Sequence, residues 1–470
     1  MEATIGKRGI RGAGRRIAKV NWLMAQVPCN RIRFASLGER RLKFLDGTLR
    51  TLAGLVLGGL LLPLAACAQS GAAVQQPAAV EAGQPAVVEP GQQDFDSWLA
   101  AVRQEAIGRG IRRETVERAL SGLQPLPEVI KQDRTQREFT LTFTRYMRGA
   151  VTEARVEKAR RLLAENRALL EKVAEEYGVQ PRFLVSFWAL ESNFGEHTGG
   201  YQVIAALATL AHEGRRHDFF RAQLFDALKI LDEGHIGVAE MTGSWAGAMG
   251  QLQFIPSTFV NFAVDYDGDG QRDIWRSLPD IFASAANYLS QEGWRGDRTW
   301  GRQVALPPNF DYSLASLAVK YPLSEWANTY LLRDADGGPL PVVDGMEAAL
   351  VLPTGYRGPA FLVYENFETI LIWNRSILYA VSVGHLADRI EGAPALSAEA
   401  LPDEQPLSLK AIEEMQALLN ERGYDAGKPD GLVGPQTREA LRTFQLAEGL
   451  PADGYPTLDV IERLRAAARP

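Results

Sequence analysis

The sequence predicts a mainly α chain with a minor β part, and three observations carry that reading. Residues 155–177 place Leu162, Leu163, Leu169, Leu170 and Val173 on one helical stripe, with Gly178 as a stop. Strand-like runs are few, the best being 361–364 and 369–372. Near the end, Leu409, Ile412, Met415, Leu418 and Leu419 share a helical face closed near Gly423, and 437–445 reads as a second amphipathic helix. The 470 residues are 46% apolar and 23% charged, enough for a large core and two or three domains, which excludes wholesale disorder.

The first 50 residues hold 12 Lys/Arg against 3 Asp/Glu, so the rest of a chain of net charge -6 carries -15. An acidic body of this kind offers no global basic surface and argues against nucleic acid as a partner. The only cysteines, Cys29 and Cys67, precede the region that reads as folded, so the body has neither a disulfide framework nor a thiolate metal site.

Residues 51–66 form an uncharged apolar run behind Arg40, Arg41, Lys43 and Arg50, the order of a secretory signal. The run is shorter than the roughly 20 residues that span a bilayer, and Pro63 interrupts its end. Leu64-Ala65-Ala66-Cys67 resembles a bacterial lipoprotein box, which implies lipidation of Cys67 and stable anchoring by several acyl chains. The alternative is an ordinary signal with a chance cysteine. Residues 1–39 exceed a normal basic region, which suggests a misplaced start. The expected layout is a signal over 1–67, a flexible linker rich in Ala, Gln, Pro, Val and Gly over 68–93, and a large folded domain over 94–391. A second linker over 392–403 and a small unit over 404–470 follow.

The segment 181–195 opens with Pro181, is apolar through its middle and ends in Gly195, which reads as a short buried helix. Glu191 falls in its last turn. An apolar wall and the negative end of the helix dipole would both raise its pKa, which suits a carboxylic acid that protonates a glycosidic oxygen near neutral pH. The competing reading is a Glu that caps backbone or faces water. Downstream, 243–259 concentrates small residues, amides and aromatics. Its glycines suit close approach of backbone to a ligand, and Ser244, Gln251 and Gln253 can bond neutral hydroxyl and amide groups.

Glu191-Ser192, the Gly-Ala-Met-Gly run at 247–250, Gln-Phe-Ile-Pro-Ser at 253–257, Ala-Leu-Ala-Thr-Leu at 206–210, Ala286-Asn-Tyr288 and the 382–390 segment together resemble the membrane-bound lytic murein transglycosylase B family. The likeness runs from about Phe95 to Ile390 and implies a lysozyme-like catalytic domain. It further implies cleavage of the β-1,4 bond between N-acetylmuramic acid and N-acetylglucosamine in peptidoglycan, with 1,6-anhydro ends. It maps the single catalytic acid onto Glu191, so the usual two-carboxylate scheme does not apply. The residues implied to hold substrate are Ser244, Gln253, Tyr288, Asn374 and Tyr379, with Arg215 and Arg216 facing the muramyl peptide. Trp373 stands where the family can have a tyrosine, keeping a stacking face and losing a hydroxyl. The implied protein needs no catalytic cofactor, is a monomer, and works in the periplasm, lipid-anchored to the outer membrane. The rivals are a non-catalytic peptidoglycan-binding lipoprotein and a hydrolytic muramidase.

Asp265, Asp267, Asp269 and Asp273 occupy positions 1, 3, 5 and 9 of an EF-hand-like loop, with Gly270 at 6 and the Gln271 carbonyl at 7. Position 12 is Arg276 where a bidentate Glu is expected. The resemblance implies that Asp280 closes the loop around a structural Ca²⁺; a metal-free turn is the alternative. His212 and His217 are five apart, so they diverge on a helix and fail as a zinc pair. In the last unit, Gln416, Leu419, Gly423-Tyr424, Asp430-Gly431, Gly434-Pro435, Thr437, Ala440 and Phe444-Gln445 resemble a three-helix peptidoglycan-binding domain. A helical dimerisation appendage is the alternative. A second wall-binding site would raise local substrate concentration.

Overall fold

The structure, a computed structural model, describes residues 94–135, 141–213, 216–396, 401 and 405–466. The signal, Cys67 and the 68–93 linker lie outside these residues, as do 397–400, 402 and 403 of the second linker. Helices dominate. The largest core runs from Phe95 to Ile390 and is built mainly from helices packed on Pro181–Ser192, Val203–His212, His217–Glu233 and Ile377–Ile390.

The helix Pro181–Ser192 forms where expected, with Pro181 at its first turn and Asn193 in the left-handed region (φ 52°) as its cap. The 155–177 stripe is two helices, Glu153–Glu165 and Arg167–Tyr177, rather than one. Asn166 breaks it by turning its side-chain amide back onto the Leu162 carbonyl at 2.9 Å, a local bond that competes with helix continuation. Gly178 ends the second helix at φ 72°.

A five-stranded antiparallel sheet forms in the order 321–322, 347–351, 360–363, 301–305, 333–334. The central register pairs Leu350 with Leu362 and Gly301 with Val363. A second core of Val304, Leu323, Trp326, Leu350 and Leu362 packs on it. Ala360–Val363 matches the expected strand, but 369–372 does not, lying inside the helix Glu365–Trp373. Phe367, Ile370 and Trp373 are buried at helical spacing, and Glu365 and Glu368 sit in the first turn, where the dipole favours them. A four-residue apolar run cannot by itself distinguish strand from helix.

The C-terminal unit holds three helices, Leu409–Glu421, Pro435–Ala447 and Leu458–Ala466, around Ile412, Met415, Leu441, Phe444 and Ile461. It packs on the sheet region. Asp453 Oδ2 accepts from the Tyr356 N–H at 2.8 Å, and Arg442 donates to the Ala315 carbonyl at 3.3 Å. No helix among the described residues is long and apolar enough to cross a membrane.

Candidate active site

Glu191 lies in the last turn of Pro181–Ser192, one turn beyond the fully buried Phe187. Its Oε1 accepts two hydrogen bonds, from the Tyr379 hydroxyl at 2.6 Å and from the Trp373 indole N–H at 2.8 Å. Burial raises the Glu191 pKa and outweighs the two donors, which favour the ionised form, so that it stands at about 7 in place of 4.5. Both donors are neutral. The acid is therefore poised near neutrality by desolvation, without an ionic partner in contact among the described residues.

The chain ends of two helices place those donors. Trp373 is the last residue of Glu365–Trp373, and Tyr379 lies in the first turn of Ile377–Ile390, whose start is fixed by Ser376 accepting from the Tyr379 N–H at 3.3 Å. Around them stands an aromatic wall. Tyr288 stacks on Trp373 at 5.0 Å and on Phe262 at 4.5 Å, and Trp373 also meets Phe187 at 4.5 Å and Phe254 at 5.4 Å. Burial raises the Tyr288 and Tyr379 pKa values, and the Glu191 charge adds to both, so each hydroxyl keeps its proton.

Trp373 does more than the stacking expected of it: its N–H does at the carboxylate what a hydroxyl could do, and at 6% exposure its ring belongs to the wall. Gln253, held at φ 51°, spends its Nε2 on the Thr198 and Gly250 carbonyls, both at 3.0 Å. Ser244 is 5% exposed, and its Oγ accepts from the Ala246 and Ala248 N–H groups at 3.3 and 3.0 Å, bracing the 243–250 loop. Asn374 caps Glu365–Trp373, and its Oδ1 accepts from Ser376 N.

Gln251, singled out beside them, is structural: it accepts from Trp188 Nε1 at 2.6 Å and donates to the Trp275 carbonyl at 2.8 Å. The loop glycines also serve the protein itself. A Cβ on Gly243 would sit 2.1 Å from the Ala248 carbonyl oxygen, and one on Gly250, at φ 66°, would sit 2.6 Å from the Ile274 oxygen. The small residues thus let backbone approach backbone, not ligand alone.

Arg215 lies outside the described residues. Arg216 places its guanidinium over Phe220 and Phe219, 4.6 and 5.3 Å from their ring centres. Tyr146, on Phe143–Ala150, escaped sequence reasoning. It is 5% exposed, and its pKa is raised first by burial and then by the Glu191 charge, which brings it to the acid. Nothing local in an eight-residue amphipathic helix signals that role.

In the aspartate loop, Asp265, Asp267 and Asp280 bring carboxylate oxygens within 4.8 Å of one another. Asp280 is fully buried and accepts from the Tyr266 and Asp273 N–H groups at 2.7 Å. Burial raises its pKa, with Asp267 adding to the rise. Three hard oxygen donors converging at a buried carboxylate fit Ca²⁺. Asp269 falls outside this group; its Oδ1 accepts from Gln271 N at 2.8 Å. Arg276 turns away and pairs with Glu240 at 2.7 Å. His212 packs edge-on against Phe95 and Trp98, and His217 bonds the Ala211 carbonyl, so neither histidine points to zinc.

A carboxyl held by neutral donors against an aromatic wall, on a mainly helical body, fits an enzyme of lysozyme-like fold. The transglycosylase SLT domain model matches residues 94–388, and the chain belongs to that family. A peptidoglycan-binding domain model matches residues 408–464. Membrane-bound lytic murein transglycosylase B of Escherichia coli (strain K12) is 28% identical over 303 residues, 60% of this chain and 79% of that protein. Crystal structures of SltB3 from Pseudomonas aeruginosa, in complex with NAG-anhNAM-pentapeptide or NAG-NAM-pentapeptide, are 47% identical with a TM-score of 0.76. They cover 79% of this chain and 100% of theirs. The Escherichia coli lytic transglycosylase Slt35 in complex with calcium is 26% identical, with a TM-score of 0.53, over 62% of this chain and 92% of its own.

Proposed function

We propose that the chain is a lytic murein transglycosylase in which Glu191 is the one acid and base. It cuts the β-1,4 bond between N-acetylmuramic acid and N-acetylglucosamine of peptidoglycan, a glycan that carries peptide stems, and leaves a 1,6-anhydro end. The observation that carries this reading is the environment of Glu191: Oε1 is occupied by two neutral donors and burial holds the group near pKa 7. Oε2 is then the oxygen that bears the acid proton.

That proton passes to the glycosidic oxygen as its bond to C1 breaks. The substrate's N-acetyl oxygen stabilises C1, and the ionised Glu191 then takes the C6 hydroxyl proton as O6 bonds to C1. The acid is regenerated, and the atoms balance without water or a cofactor. Attack by C6 is intramolecular, so a held sugar outruns water. The apolar wall favours the neutral acid at the start, and the Tyr379 and Trp373 donors stabilise the carboxylate between the two steps.

Tyr288 and the Gln253 amide oxygen hold the sugars, and Ser244 and Asn374 fix the loops beside them. Arg215 and Arg216 meet the muramyl peptide. Asp265, Asp267 and Asp280 hold a structural Ca²⁺, with Asp269 and the Gln271 carbonyl completing its shell. The body over 94–391 cuts and the unit over 404–470 adds a wall contact. Cys67 anchors a monomer to the outer membrane from the periplasmic side. Mass spectrometry of purified sacculi digested by the full chain tests the reaction. Anhydro ends support it; reducing ends indicate a muramidase, and an absence of products indicates a binding protein.

A further inference from the structure

The C-terminal unit and the sheet region enclose a cleft of about 600 Å³. That size falls within the roughly 300–1,000 Å³ of ligand sites, which favour domain junctions. The walls are fixed. Asp453, 6% exposed, accepts from Gln445 Nε2 and Tyr455 N through Oδ1 and from Tyr356 N through Oδ2, all at 2.8 Å. A Cβ on Gly355, at φ 71°, would come 2.5 Å from Asp453 Oδ2 and 2.9 Å from the Tyr455 Cβ, so the two surfaces close to backbone distance there.

The lining carries one polar group that the fold does not use. Thr354 is 6% exposed, and its Oγ1 is buried with no hydrogen-bond partner among the described residues. Leaving a hydroxyl in that state is unfavourable by about 1–3 kcal/mol, and this one lies behind the wall against Gly358, out of a ligand's reach. Higher in the cleft, Arg357 from the sheet side faces Asp459 from the last helix at 4.0 Å, with both side chains largely exposed. A pair so loose and wet contributes little to stability and is free to exchange partners. Arg463 and Glu462 add one charge of each sign, and Tyr356 and Tyr455 supply flat walls.

We propose that this cleft binds a peptide stem of the wall, a short chain with free carboxylate and ammonium groups. The proposal rests on the peptidoglycan reading above. Both charge signs side by side suit a zwitterion: the guanidinium groups of Arg357 and Arg463 take carboxylates, and Asp459 and Glu462 take ammonium. A neutral glycan strand has no groups for these charges, and a polyanion would meet Asp459 and Glu462. The catalytic cleft differs in kind, since it offers aromatic faces and neutral amides. Because both walls of the junction contribute, the stem would be held at a fixed orientation to the body, not on a loose tether.

Calorimetric titration of the full chain tests this with two probes, a free stem pentapeptide and a peptide-free N-acetylglucosamine tetramer. The unaltered chain is expected to bind the pentapeptide, and Arg357→Ala with Arg463→Ala to weaken that binding by roughly fivefold or more. Thr354→Val, a control behind the wall, should leave that binding unchanged and the melting temperature equal or higher, since it removes an unpaired buried hydroxyl. The tetramer affinity should not change in either variant. Unchanged pentapeptide affinity in the Arg357→Ala, Arg463→Ala variant, no pentapeptide binding by the unaltered chain, or an equal loss for the tetramer would each overturn the proposal. Anhydro products from the unaltered chain are read separately, so failure of the cleft and failure of the enzymatic reading are distinguishable.

Discussion

Replacing Trp373 with Phe takes one N–H donor from Glu191 and shortens one ring in the wall. The lost bond, 2.8 Å to Oε1, is made to a group that is charged for part of the cycle. Such bonds contribute about 1.5–3 kcal/mol, and one pKa unit corresponds to about 1.36 kcal/mol of preference between protonation states. Because the Tyr379 bond remains, the low end applies, and the Glu191 pKa should rise by about one unit from its value near 7. The sign follows from the chemistry. Cleavage begins with protonated Glu191, so kcat/KM falls as pH climbs through that pKa, and Trp373→Phe should move this alkaline limb up by about one unit. Steady-state rates on soluble muropeptide from pH 5 to 9 measure it. The smaller ring also leaves space beside Tyr288, Phe187 and Phe254, so a stability loss of about 1–2 kcal/mol is expected. That packing loss does not move a pH limb. A limb unmoved in Trp373→Phe, with stability lowered as stated, would refute the role given to the indole N–H.

Three further outcomes are expected. Millimolar Ca²⁺ should raise the melting temperature relative to chelator, with about 2.7 kcal/mol of stabilisation at ligand 100-fold above its dissociation constant, and Asp280→Asn should abolish the difference. An Ala at Gly384 would bring a Cβ to 2.1 Å from the buried Trp300 ring, so denaturant unfolding should show a loss of about 1–3 kcal/mol or more. The folded-state pKa of Glu191 lies above its ordinary 4.5, so folding favours the protonated form. Its contribution is complete below about 4.5 and fades as pH rises through about 7; Glu191→Gln should flatten stability across that window.

How much was legible in the sequence differs from element to element, for physical reasons. The Glu191 helix could be read because its signals are local: a proline at the first turn, an all-round apolar middle, a glycine beyond the end. The aspartate loop was legible for the same reason, since spacing alone places Asp265 and Asp267. The break at Asn166 and the helix over 369–372 were not, because each turns on a single side chain or on burial at helical spacing. The indole bond of Trp373 and the nearness of Tyr146 to Glu191 join residues far apart in the chain, and such juxtapositions exist only once the helices pack. The loop glycines were read toward a ligand although Gly243 and Gly250 meet backbone, because composition records missing side chains without saying what fills the space.

The central claim is that one carboxyl does the proton work, and the most direct measurement compares release of anhydro-muropeptides from sacculi by the unaltered chain and by Glu191→Gln. The variant keeps the shape and deletes the titrating proton. A loss of at least about 10²-fold in rate is expected, with sacculus binding and melting temperature nearly retained. A loss of about tenfold or less, in a variant that folds and binds as before, would contradict it.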